Sequence, residues 1–210
     1  MHDYTSRQLY MANGGNKLYI YKDGFGDNYN ATAAEEAAWS IDVVDRALGR
    51  IETEENRTSL QFAIEDLLFH KYENTVKLLI DKLKDTSPAR RIVFATALWK
   101  ITGYEKSFEI IRQILAERKS ESLDDVFLGL NELKDNTAAR NFLIACLDGD
   151  DELLHTKAQK TISMWSWSGM TRLKENNLLD LLRPENKDSS SFSAAIEQLK
   201  RILTTGDQKE

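Results

Sequence analysis

Cysteine is nearly absent. A single copy, Cys146, in a chain of 210 residues excludes an internal disulfide framework. It lies in the apolar run FLIACL, which predicts a buried thiol and not a nucleophile. Two prolines and ten glycines are too few for a turn-dense β architecture, and the stock of Leu, Ala, Glu and Lys favours helices. No apolar run approaches the roughly 18 residues needed to span a bilayer, and the opening residues are too polar for a secretory leader, so a cytoplasmic location is expected. The sequons Asn30-Ala-Thr and Asn56-Arg-Thr then carry no weight. Positive charge is in deficit, 28 Lys and Arg against 34 Asp and Glu for a net of -6, which disfavours a nucleic-acid or anionic-membrane surface.

Metal and cofactor signatures are missing too. His2, His70 and His155 are far apart, no H-E-x-x-H occurs, and the acidic run DGDDE at 148–152 lacks the glycine and terminal Glu at the sixth and twelfth positions of a calcium loop. In GFGDNY at 24–29, Tyr29 stands where a dinucleotide fingerprint needs its third glycine, so the stretch reads as a turn. No cofactor, metal or catalytic residue is expected.

What is present is helical periodicity with a repeat. Residues 1–30 lack it; LYIY at 18–21 followed by KDGFGDN predicts an irregular arm with a short hairpin. From Asn30 the pattern changes. Thr32 and Glu35 have capping-box spacing, and Ala37, Ile41, Val44, Leu48 and Ile51 form a stripe at helical spacing. Helices then alternate with short polar turns to about residue 203, leaving a polar tail at 204–210. In the second helix of each pair a small residue precedes a large one by four positions: Ala63 and Leu67, Ala95 and Trp99, Gly129 and Leu133, Thr161 and Trp165, Ala195 and Leu199. The small residues are 32, 34, 32 and 34 positions apart, a repeat signature. Stop signals agree, with Gly103 and Gly169 each eight positions after a small residue.

Helix pairs of this length, with a D-x-x-P-like turn before the second helix, resemble HEAT repeats of the short bacterial kind related to the phycobilisome-lyase type. The resemblance is carried by LKDTSPARRIVFATALWKITG at 83–103 and by the looser copy CLDGDDELLHTKAQKTISMWSWSG at 146–169, and it covers about residues 35–203. It implies an all-α, right-handed solenoid of five antiparallel helix pairs, stacked so that each completes its neighbour's core. It also implies that the second helices line a concave side where partners lie.

Two features mark candidate binding surfaces. Trp99 and Trp165 share a repeat position and are expected in the core, whereas Trp167 is about 200° around the helix from Trp165. Trp167 either packs under the following loop, covered by Met170, or stands exposed as an interface anchor. The turns inside the repeats, ETEENR, KDTSP, ERKSESLDD, DGDDE and RPENKDSS, hold fourteen acidic residues against six basic ones. Helix capping explains part of that excess. The remainder centres on Glu121, Asp124, Asp125, Asp148, Asp150, Asp151 and Glu152, expected to form an acidic edge for a basic protein partner. Resemblance and charge together imply a non-enzymatic protein-binding module, of the kind that serves as a bacterial immunity or antitoxin protein or as a scaffold. The alternative is a HEAT-like alkylpurine DNA glycosylase, whose foothold is Trp165, Trp167, Arg172 and Lys174 in close sequence.

Overall fold

The computed structural model describes residues 4–84, 87–117 and 123–205. Among them there is no strand, and the chain divides between Ala97 and Leu98 into two compact units.

The first unit contains α1 (Ser6–Ala12), α2 (Lys17–Lys22), a 3-10 turn at Gly26–Asn28, α3 (Ala33–Thr53), α4 (Arg57–Phe69), α5 (Thr75–Lys82) and the first ten residues of α6 (Pro88–Thr102). Helices α3 and α4 pack along one another, α1 lies on α3, and α5 follows against α4. The core joins Val43, Ala47 and Ile51 of α3 to Leu60, Ala63, Ile64 and Leu67 of α4, with Leu9, Tyr10 and Ile20 from the N-terminal segment. From Ile92 to Thr96 every residue of α6 is buried, as expected for a helix enclosed on most sides. Arg90, itself buried, gives its guanidinium to the carbonyls of Ile51 and Glu52, two of the orphan acceptors at the end of α3.

Two expectations are corrected here. The N-terminal segment is helical instead of irregular, and residues 17–22 form α2 where an extended strand of a hairpin was predicted. Its helices are too short to show a periodic stripe, so their stability comes from caps and docking. Thr5 and Gln8 close a capping box on α1, and the Asn16 side chain caps α2. Glu36 of α3 then holds the segment down, accepting from Lys17 Nζ at 2.7 Å and from the Tyr29 hydroxyl at 2.9 Å. The second correction concerns α3, which buries Val43, Ala47 and Ile51 and leaves Ile41 exposed. The stripe is rotated because α1 covers part of α3: Tyr10 meets Trp39 edge-on at 5.6 Å between ring centres, and Arg7 pairs with Asp42 at 2.8 Å.

The second unit completes α6 and adds α7 (Lys106–Ala116), α8 (Leu123–Glu132), α9 (Thr137–Asp148), α10 (Glu152–Trp167), a 3-10 segment at Thr171–Asn177, α11 (Leu178–Leu181), a 3-10 turn at Pro184–Asn186 and α12 (Ser190–Thr205). Neighbours in sequence pack as pairs, α7 with α8, α9 with α10 and α11 with α12; α8 also meets α10, and α9 meets α12. The tail expected at 204–210 begins inside α12, and residues 206–210 lie outside the described residues.

All five evenly spaced small residues are buried: Ala63 in α4, Ala95 in α6, Gly129 in α8, Thr161 in α10 and Ala195 in α12. Their large partners Leu67, Leu133, Trp165 and Leu199 are buried as well. Trp99 departs from the expectation of a core position: it is only half-buried, and the adjacent Leu98 takes the fully buried place. Gly103 and Gly169 stop α6 and α10 with φ of +66° and +112°, a region that costs other residues strain.

Candidate functional site

The first candidate surface closes α10. Trp165 is fully buried and its indole N–H donates to the Asn131 carbonyl at 3.0 Å, a partner that a buried indole requires. The helix runs on to Trp167, which is 80% exposed. Met170 does not cover it. That side chain is buried, and the Met170 N–H turns back to the Trp165 carbonyl at 3.1 Å. The group that meets Trp167 is Lys174, whose Nζ stands 3.8 Å from the ring centroid as a cation–π pair.

The acidic residues have varied duties. Asp151 caps α10, accepting from Leu153 N at 3.1 Å and Leu154 N at 3.0 Å. Asp150 pairs with Lys187 at 2.8 Å, and Asp124 pairs with Lys157 of α10; each lysine holds its partner's carboxyl below the usual range. Asp148 and Glu152 are exposed, Asp125 is half-buried in the first turn of α8, and Glu121 lies outside the described residues. Asp150 and Glu152 meet Glu185, Lys187 and Asp188 around a recess of about 450 Å³ whose wall includes the buried His155. Asp124 and Asp125 do not line it. Much of the expected edge is therefore already neutralised by lysines or consumed by capping.

A second surface had no counterpart among the expectations from sequence. In the first unit the α1–α2 turn, α3 and α4 enclose a cleft of about 940 Å³. Arg46 and Arg50, one turn apart on α3, and Asp66 on α4 line it half-buried; Phe62, Leu68, Phe69 and Tyr19 line it exposed. Arg46 donates to the Met11 carbonyl at 2.6 Å and faces Asp66 at 3.9 Å. Burial raises the pKa of the Asp66 carboxyl, Arg46 and Arg50 oppose that shift, and burial lowers the pKa of Arg46. The Gly14–Gly15 turn forms one wall. Both residues have positive φ, and a Cβ on Gly14 would fall 1.9 Å from Asp66 Oδ1. His70 Nε2 donates to the Gly14 carbonyl at 2.9 Å and ties the turn to the end of α4. The arginine pair and the seven-residue spacing of Phe62 and Phe69 were visible in sequence; the turn that converts them into a concavity was not.

Cys146 is buried, and burial pushes its thiol up to about 12, the state of an inert core cysteine. Among the described residues no cluster of His, Cys, Asp or Glu has the arrangement of a metal site, and no helix is long and apolar enough to cross a membrane. No family model, curated protein or solved structure matches the chain.

Proposed function

We propose that the protein is a non-enzymatic module that holds a basic protein partner on a HEAT-like array of helix pairs, with Trp167 as the anchor of the contact. The single observation that carries this reading is the 80% exposure of an indole at the end of a helix whose other tryptophan, two residues earlier, is fully buried. Leaving so large an apolar side chain in water forgoes burial worth about 1.5 to 3 kcal/mol, and tryptophan is the residue type most enriched among interface hot spots. Lys174 rests on one face of the ring and leaves the rest open to a partner. Exposed Asp148 and Glu152 supply the attraction for a basic surface, while the acids already paired with Lys157 and Lys187 contribute less. Immunity, antitoxin and scaffold roles all fit such a module.

The test is parallel affinity capture with wild type and Trp167→Ala, followed by affinity measurement on the recovered protein. A basic partner whose affinity falls by about thirtyfold in the variant, the size of a 2 kcal/mol hot spot, is the expected result. Equal affinity for both forms, or a partner of acidic surface, would sink the proposal.

A further inference from the structure

We propose that the cleft of the first unit is a binding site for a small organic anion with a flat apolar body, its charged end on Arg46 and Arg50 and its body against Phe62, Leu68 and Phe69. This rests on the cleft alone and is independent of the role given to Trp167.

The layering of the cleft decides the ligand's sign. Its half-buried layer holds two guanidiniums and one carboxylate. Arg46 and Asp66 offset each other across 3.9 Å, and Arg46 is further fixed by the Met11 carbonyl. Arg50 is the surplus charge. No ion pair or side-chain hydrogen bond engages it among the described residues, and the Nε of Arg46 is buried without a partner. A planar guanidinium held in this way matches a carboxylate, sulfonate or phosphate through paired N–H donors. Glu65 and Asp23 also border the cleft, but both are exposed, where water and salt screen them far more than they screen a half-buried arginine. The direction in which burial moves Asp66 and Arg46 agrees with a partly dehydrated floor.

The body of the ligand is set by the rim. Phe62 and Phe69 are each more than half exposed and Leu68 is 40% exposed, yet all three line one concavity and are not scattered singly over the surface. The volume, about 940 Å³, is that of a small-molecule site. Its wall is built to hold shape: the Gly14–Gly15 turn approaches Asp66 and His70 too closely to admit any side chain.

Three dyes of similar aromatic body test this: anionic 8-anilinonaphthalene-1-sulfonate, its uncharged analogue N-phenyl-1-naphthylamine, and cationic thioflavin T. Saturable binding of the sulfonate is expected, tighter than that of the neutral dye by about tenfold, the value of one charge-assisted hydrogen bond. Arg50→Gln should abolish that preference and leave the neutral dye's affinity unchanged, while Arg50→Lys should keep part of it. Phe69→Ala should weaken both dyes, and Trp167→Ala should weaken neither. Equal affinity for the anionic and neutral dyes, tighter binding of the cation, or a sulfonate preference that survives Arg50→Gln would each overturn the proposal. Matching melting temperatures of the arginine variants and wild type show that the comparison concerns the site and not the fold.

Discussion

At the scale of single residues, Asp66 gives the sharpest expectation. Its carboxyl titrates above the ordinary value in the folded chain because burial outweighs the help of Arg46 and Arg50. The folded state therefore keeps this proton to higher pH than the unfolded state does. Stability falls as pH rises through the window between the unfolded value and the raised folded one, and a constant penalty remains above it. Asp66→Asn removes the charge with almost no change of shape. Urea midpoints measured from about pH 4 to pH 7 should lose that falling limb, and near neutrality the variant should equal or exceed wild type. An Asn variant that is weaker at neutral pH would mean that the pairing with Arg46 outweighs desolvation. Residues of this kind are hard to find in sequence, since Asp66 owes its environment to a turn some fifty positions earlier. Trp167 is easier. Its angular offset from Trp165 along one helix already poses the choice between a covered and an exposed ring, and the burial of Met170 decides it.

At the scale of the element, what was legible depended on length. Helix α3 is 21 residues long and opens with the Thr32–Glu35 capping box, both of whose hydrogen bonds form. Its position was plain, although its buried face was not, because nothing in the periodicity announces the covering helix α1. That helix has only seven residues and carries its signal in TSRQ at 5–8, a capping box with no stripe behind it. Helix α6 shows the other extreme. It is enclosed on most sides, and Ala95 is fully buried among Phe94, Ile92 and Leu98. Ala95→Leu adds three carbons where there is no room and should cost about 1 to 3 kcal/mol, read as a lowered urea midpoint. Loss of less than a few tenths would show that α6 has slack at this crossing.

At the scale of the whole molecule, the even spacing of small residues reports on five buried positions, one in each of α4, α6, α8, α10 and α12, and that much was readable from the chain. The division between Ala97 and Leu98 was not, because it falls inside a continuous helix, ten residues past Pro88 and five before Gly103, with no glycine, proline or change of composition at that point to mark it. Each unit has its own buried core, so damage should register locally. Trp165→Ala removes a fully buried indole from the second unit and should cost about 3 to 5 kcal/mol. Amide hydrogen exchange should then quicken in α8, α9 and α10, while α3 and α4 keep the protection they have in wild type. Equal loss across both halves would show that the chain opens as one cooperative body.

Two indoles separated by a single residue, one sealed and one bathed in water, give the chain an optical consequence. With the half-buried Trp39 and Trp99 replaced by Phe, light absorbed by Trp165 is re-emitted from a dry surrounding and light absorbed by Trp167 from a wet one, so the spectrum divides into a short-wavelength and a long-wavelength part. A dissolved quencher such as iodide, drawn toward the ammonium of Lys174, reaches only the second of these. Any molecule that settles on the end of α10 shades Trp167 from the quencher and moves its colour, with Trp165 as the unmoved reference beside it.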